Sequence, residues 1–158
     1  MNKPRLFGVF TLLSLLFLLL ALGACHFYSQ YQQTHYSCEA MLLVHKDDVE
    51  LALAVNFIFQ GNKGIATLKG TLKQGNKTTS ISRKNYFNFN NIKHIYHLKS
   101  ISAVTTPADN SNTEDIARYL PLFYLQQGLK FDFSAYPASK EGYVFSTGQV
   151  PSFYCARS

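Results

Sequence analysis

The chain has 158 residues, no tryptophan, and fifteen basic against nine acidic side chains, for a formal charge of +6. Its first residues hold Lys3 and Arg5, and taking these away leaves thirteen bases against nine acids, about +4, for the rest of the chain. Such a surplus excludes little by itself, but on an exported segment it signals attraction to anionic headgroups or plain solubility, and no nucleic-acid contact is expected.

From Leu6 to Ala24 the only polar side chains are Thr11 and Ser14. As a helix this run is about 28 Å long, close to the hydrocarbon thickness of a bilayer. Basic residues stand on its amino-terminal side, and the next one is Lys46. The positive-inside rule therefore predicts a bacterial inner-membrane protein with a cytoplasmic amino terminus and a periplasmic remainder. Three fates fit the segment. It can stay as a single-pass anchor, and Phe27, Tyr28 and Tyr31 would then form its interfacial belt. It can be cleaved after the small residues Ala21 and Gly23. Or Leu22-Gly23-Ala24-Cys25 can serve as a lipobox with Cys25 lipidated. The expected division is an anchor over 1–28 and an exported β domain over 29–158.

That domain keeps two cysteines, Cys38 and Cys155, near its ends. In an oxidising compartment the reading is a disulfide, contributing about 4.7 kcal/mol in the chain-entropy model. A metal pair or a reactive thiol would want C-x-x-C spacing or clustered histidines.

Beyond Tyr36 apolar residues recur at period two in blocks broken by Gly, Asn and Asp, which predicts sequential strands. Leu51, Leu53, Val55, Phe57 and Phe59 share one face of Glu50 to Gln60. Ala66, Leu68, Gly70 and Leu72 then alternate with Thr67, Lys69, Thr71 and Lys73. Reversals are expected at Lys46-Asp47-Asp48, Gly61-Asn62-Lys63-Gly64 and Gln74-Gly75-Asn76-Lys77. Two longer blocks, Thr78 to Asn90 and His94 to Thr106, predict a hairpin turning at Asn90-Asn91. Ser111-Asn112-Thr113-Glu114 has the capping-box pattern and predicts a short helix ending before Pro121. Three strands complete the chain: Leu129 to Ala135, Gly142 to Val150, and Ser152 to Ala156.

The expected fold is mainly β, with a transmembrane helix followed by an eight-stranded antiparallel, calycin- or lipocalin-like barrel containing one short helix. A Cys38–Cys155 bond would place the first strand beside the last and curl the meander closed. A sandwich stays open as an alternative. Phe57, Phe59, Phe131, Phe133 and Phe145 are expected to face inward, as a filled core or as the lining of a pocket for an amphipathic ligand.

Chemistry-bearing patterns are weak. Five histidines lie in the exported part, but His94 and His97 would point to opposite faces of a strand, and no metal site is expected. Asp47, Asp48 and Glu50 read as a solvated turn. Lys69, Lys73, Lys77, Arg83 and Lys84 read as the wet face of a hairpin. With no G-x-S-x-G, phosphate loop or nucleotide fingerprint, no catalytic residues and no cofactor are assigned, and the chain is expected not to be an enzyme.

Several stretches carry a family likeness: Tyr36-Ser37-Cys38-Glu39-Ala40, His45-Lys46-Asp47-Asp48, Ile81-Ser82-Arg83, Ser102 with Pro107-Ala108-Asp109-Asn110, and Phe145-Ser146-Thr147-Gly148 through Val150-Pro151-Ser152-Phe153-Tyr154-Cys155. In these the chain resembles the FidL-like membrane proteins of enteric bacteria. Such proteins are encoded beside a membrane-spanning winged-helix transcription regulator, in the manner of ToxR with ToxS or VtrA with VtrC. The resemblance implies a non-enzymatic partner whose exported domain helps that regulator sense or stay stable; the alternative is a self-sufficient lipocalin-like carrier or lipoprotein. With about five residues on the cytoplasmic side, any signal would pass through another protein, by β-augmentation or through the membrane helices, where Gly8, Ala21 and Gly23 are small enough for contact.

Overall fold

A computed structural model describes residues 3–46, 48–139, 141–148 and 150–158, and the chain falls into two compact units, Met1–Gln33 and Thr34–Ser158. Helix α1, Lys3–Thr34, accounts for the first. Its stretch from Gly8 onward is long and apolar enough to cross a membrane, as either an anchor or a signal sequence would be. Leucines and phenylalanines face outward all around it, including Phe10, Leu12, Phe17 and Leu20, so no stripe is set aside for a protein core.

The second unit is a meander of β1 His35–Lys46, β2 Val49–Gln60, β3 Lys63–Gln74, β4 Lys77–Ile92, β5 Ile95–Thr105, β6 Lys130–Ser139, β7 Gly142–Thr147 and β8 Val150–Arg157. Each strand is antiparallel to the next, and β8 returns to β1 to close a barrel. The period-two pattern sets the register. Leu51, Leu53, Phe57, Ala66, Leu68 and Leu72 turn inward and are buried, while Lys69 and Lys73 stay outside. Gly70 lies opposite Leu53, and a Cβ there would strike the Ala52 carbonyl and Leu53 Cα, so only glycine lets β2 and β3 come this close.

Several boundaries differ from those the sequence predicts. The β4–β5 turn is at Lys93-His94, both with positive φ (52° and 67°), and Asn90 and Asn91 remain paired in the strand. Apolar pairing of Ile92 with Ile95 extends the ladder past the asparagines that had suggested the reversal. Gly148, with φ 66°, ends the seventh strand, so Val150 opens β8. Asp47 lies outside the described residues, so neither its turn nor its part in an acidic cluster is described.

The β5–β6 connection holds helix α2, Thr113–Ile116, and a 3-10 turn, Leu122–Tyr124, just after Pro121. The N-cap is Asn112, which accepts from the Glu114 amide at 3.0 Å. Ser111 does not cap because its hydroxyl is held by Asp109 and Arg83. Ile116, Leu120, Phe123, Tyr124 and Leu125 are buried, making this segment a lid over one end of the barrel.

Aromatic rings fill the interior. Phe133 stacks on Phe145 with centroids 4.4 Å apart, Tyr96 on Phe133 at 5.3 Å, and Phe57 packs against Phe145 at 5.4 Å. Offset and edge-on pairs of this kind add to the area they bury.

Candidate binding site at the barrel seam

Closure of the barrel is uneven. β1 pairs with β2 over its whole length, from His35–Gln60 to Lys46–Val49. With β8 it registers two pairs, Cys38–Arg157 and Glu39–Ala156, beside the Cys38–Cys155 disulfide. From Ala40 to Lys46, β1 therefore shows no registered partner on its β8 side among the described residues. Met41 and Leu43 on this stretch are 64% and 73% exposed, unusual for large apolar side chains. The disulfide expected from sequence thus forms the closing clasp of the seam, while Cys25 is free and exposed.

Behind the open part of the seam lies a cavity of about 150 Å³. Ala40, Leu42, Phe153, Leu120, Tyr124 and Phe131 are among the residues around it, and it reaches the β1 edge at Met41. Of the five phenylalanines expected to face inward, Phe57, Phe59, Phe133 and Phe145 are buried in the packed interior. Phe131 alone borders the cavity, stacked on Phe123 at 5.4 Å. The lid contributes most of the remaining wall. Sequence reading missed Leu120 and Tyr124 because their stretch has no strand period, although its apolar cluster after the short helix was the available signal. Burial raises the Tyr124 hydroxyl above its ordinary range.

A polar cluster holds the lid. Arg83, predicted to be solvated, is inward and buried because Asp109 meets its Nε at 3.0 Å with no side-chain exposure of its own. The guanidinium also donates to Thr113 Oγ1 at 2.9 Å and Ser111 Oγ at 3.2 Å. Asp109 further accepts from the Ser82 and Ser111 amides, at 2.8 and 2.9 Å. Burial acts to raise the Asp109 carboxyl, but the hydrogen bonds from Ser111, Ser82 and Arg83 outweigh it and hold the group below its usual value. Nearby, fully buried Asn85 donates to the Phe123 carbonyl at 2.8 Å and accepts from Ser100 Oγ at 2.7 Å. These groups satisfy one another, which suits a structural clamp rather than a reacting centre.

The histidines do not converge. His94 is in the β4–β5 turn, and His97 points outward to Asp132, 3.0 Å away. Among the described residues there is no group of three or more His, Cys, Asp or Glu side chains placed to hold a metal ion.

Fold and seam together define a class: an eight-stranded up-and-down barrel preceded by an apolar helix, filled with aromatic rings and clasped by one disulfide. The sequence profile of the YqeJ C-terminal domain family matches residues 35–155, which is nearly all of the barrel, and the chain belongs to that family. Comparison with curated proteins gives no match.

Proposed function

We propose that this chain is a non-enzymatic, single-pass inner-membrane protein whose periplasmic barrel partners a membrane-bound transcription regulator and helps it sense or remain stable. The observation that carries this reading is the open edge of β1. A strand with unregistered backbone groups from Ala40 to Lys46 and two exposed apolar side chains is suited to accept a partner's strand by β-augmentation, with the cavity behind it ready to take a side chain. The likeness to FidL-like proteins, with their neighbouring winged-helix regulators, supports the choice of partner. Co-purification tests it. The detergent-solubilised full chain should bring down the membrane regulator encoded beside it, and absence of any such regulator on co-expression would remove the main support.

The cavity favours a second reading, a self-sufficient carrier or lipoprotein that binds an apolar molecule. At about 150 Å³ it falls below the usual range for drug-sized ligands and suits a small ring or the end of an acyl chain. Mass spectrometry of the mature amino terminus separates the readings, because a lipidated Cys25 would mean that the transmembrane helix had been removed.

A further inference from the structure

We propose that the β4–β5 hairpin tip, Ile92 to Ile95, is a lipid-contact element that seats on an anionic bilayer surface. This rests on α1 being retained as an anchor.

Both central residues of the tip have positive φ, 52° at Lys93 and 67° at His94. A two-residue turn of this kind favours Asn-Gly, since side chains with a Cβ meet steric resistance there. Here the turn carries a cation and an imidazole instead, a local choice that folding alone does not ask for. On either side Ile92 and Ile95 are cross-strand partners, 53% and 41% exposed. Both fall on the outward face, because Asn91 and Tyr96 occupy the alternate positions. Ile95 also pairs with Ser134, and two residues further along the same face of β6 stands Tyr136, 54% exposed. An apolar knob with an aromatic hydroxyl beside it has the amphipathic chemistry of a membrane interface.

Charge favours a lipid surface over a protein. The end of the barrel where β1 begins carries Lys63, Lys93 and Arg157, against Glu141 among the described acidic side chains of its turns and strand ends. The opposite end is balanced, with Lys46, Lys73, Lys77 and Arg118 beside Asp48, Glu50, Glu114 and Asp115. Anionic headgroups would attract the first end, while the second, with its charges balanced, offers them no such pull. The covalent chain adds reach: Ala24 and His35 are separated by about 16 Å as helix and at most about 40 Å fully extended, so the start of β1 stays within a short tether of the bilayer.

The test uses the full chain with Cys25→Ser and the Cys38–Cys155 bond intact, so that one introduced cysteine takes an environment-sensitive fluorophore. Labels go at Phe17→Cys in α1, Ile92→Cys at the tip and Asn76→Cys in the turn of the opposite end, with Tyr136→Cys as a second reporter should Ile92→Cys disturb the hairpin. Nanodiscs of phosphatidylcholine and phosphatidylglycerol contain lipids with a quencher near the headgroup. The tip label should be quenched at least about twofold more than the label at position 76, and omitting phosphatidylglycerol or adding Lys93→Glu should reduce the difference. Quenching at 17 with none at 92 or 136 above that at 76 would overturn the proposal. So would shielding of the tip from an aqueous quencher without quenching by lipid, which marks protein contact. No quenching at 17 would bring down the anchor reading, and this proposal with it.

Discussion

Asp109 shows how one side chain holds a distant segment. Its carboxylate gathers the Arg83 guanidinium, the Ser111 hydroxyl and two amides, and so fixes the start of the lid to β4. Asp109→Ala would leave Arg83 buried without its counter-charge, and urea unfolding should show a loss of about 3 kcal/mol or more. Because the folded-state value of Asp109 is lowered, its contribution is present above the ordinary carboxylate range and is lost as pH falls through the folded-state value. The native chain should therefore lose stability in acid below about pH 4, and an Asp109→Asn variant should show a shallower loss over the same range, measured by thermal melts against pH. Gly70 is a second position of this kind. Gly70→Ala drives a Cβ into the β2 backbone and should cost about 3 kcal/mol, read by the same unfolding assay.

Among the elements, β1 has two unequal edges. Toward β2 it is fully paired; toward β8 pairing is registered at Cys38 and Glu39. Met41 and Leu43 are exposed and pack little in the barrel, so Met41→Glu with Leu43→Glu should change folding stability by no more than about 0.5 kcal/mol per site. The same pair should abolish co-purification with the proposed regulator. Retention of binding with both changes would place the contact elsewhere on the barrel. The lid is the other element with consequences, since it caps one end of the barrel and also walls the cavity, so a change in its packing would be felt at the seam.

For the molecule as a whole, closure of the barrel depends on a short ladder and one covalent bond. Alkylation under non-reducing conditions should modify neither Cys38 nor Cys155 in the full chain, and labelling of both would show that the seam is not clasped. Replacing the pair by serine should destabilise the barrel by about 3 to 5 kcal/mol, seen as a lower urea midpoint. Hydrogen exchange should then rise first in β8 and the start of β1, where few ladder bonds hold the edge, before it reaches the long β2–β3–β4 pairings.

The sequence by itself determined the strands and their order. Alternation such as Leu51, Leu53, Val55, Phe57, Phe59 is local, and the glycine turns at Gly61 and Gly75 lie between runs that pair as hairpins, whereas the Asn90-Asn91 reversal gave way to a turn at Lys93-His94. It also determined the apolar helix and the pairing of two cysteines near the ends of the domain. The tertiary structure alone decided which aromatic rings were filling and which bordered a cavity, because Phe131 and Phe133 have the same period and differ only in what the lid brings against them. Likewise Arg83 and Lys84 are adjacent cations, and only the fold's placement of Asp109 made the first a buried clamp. The disulfide could be expected from sequence, but the short ladder beside it could not: register between strands far apart in the chain is set by how the whole sheet curls. That curl leaves the β1 edge open.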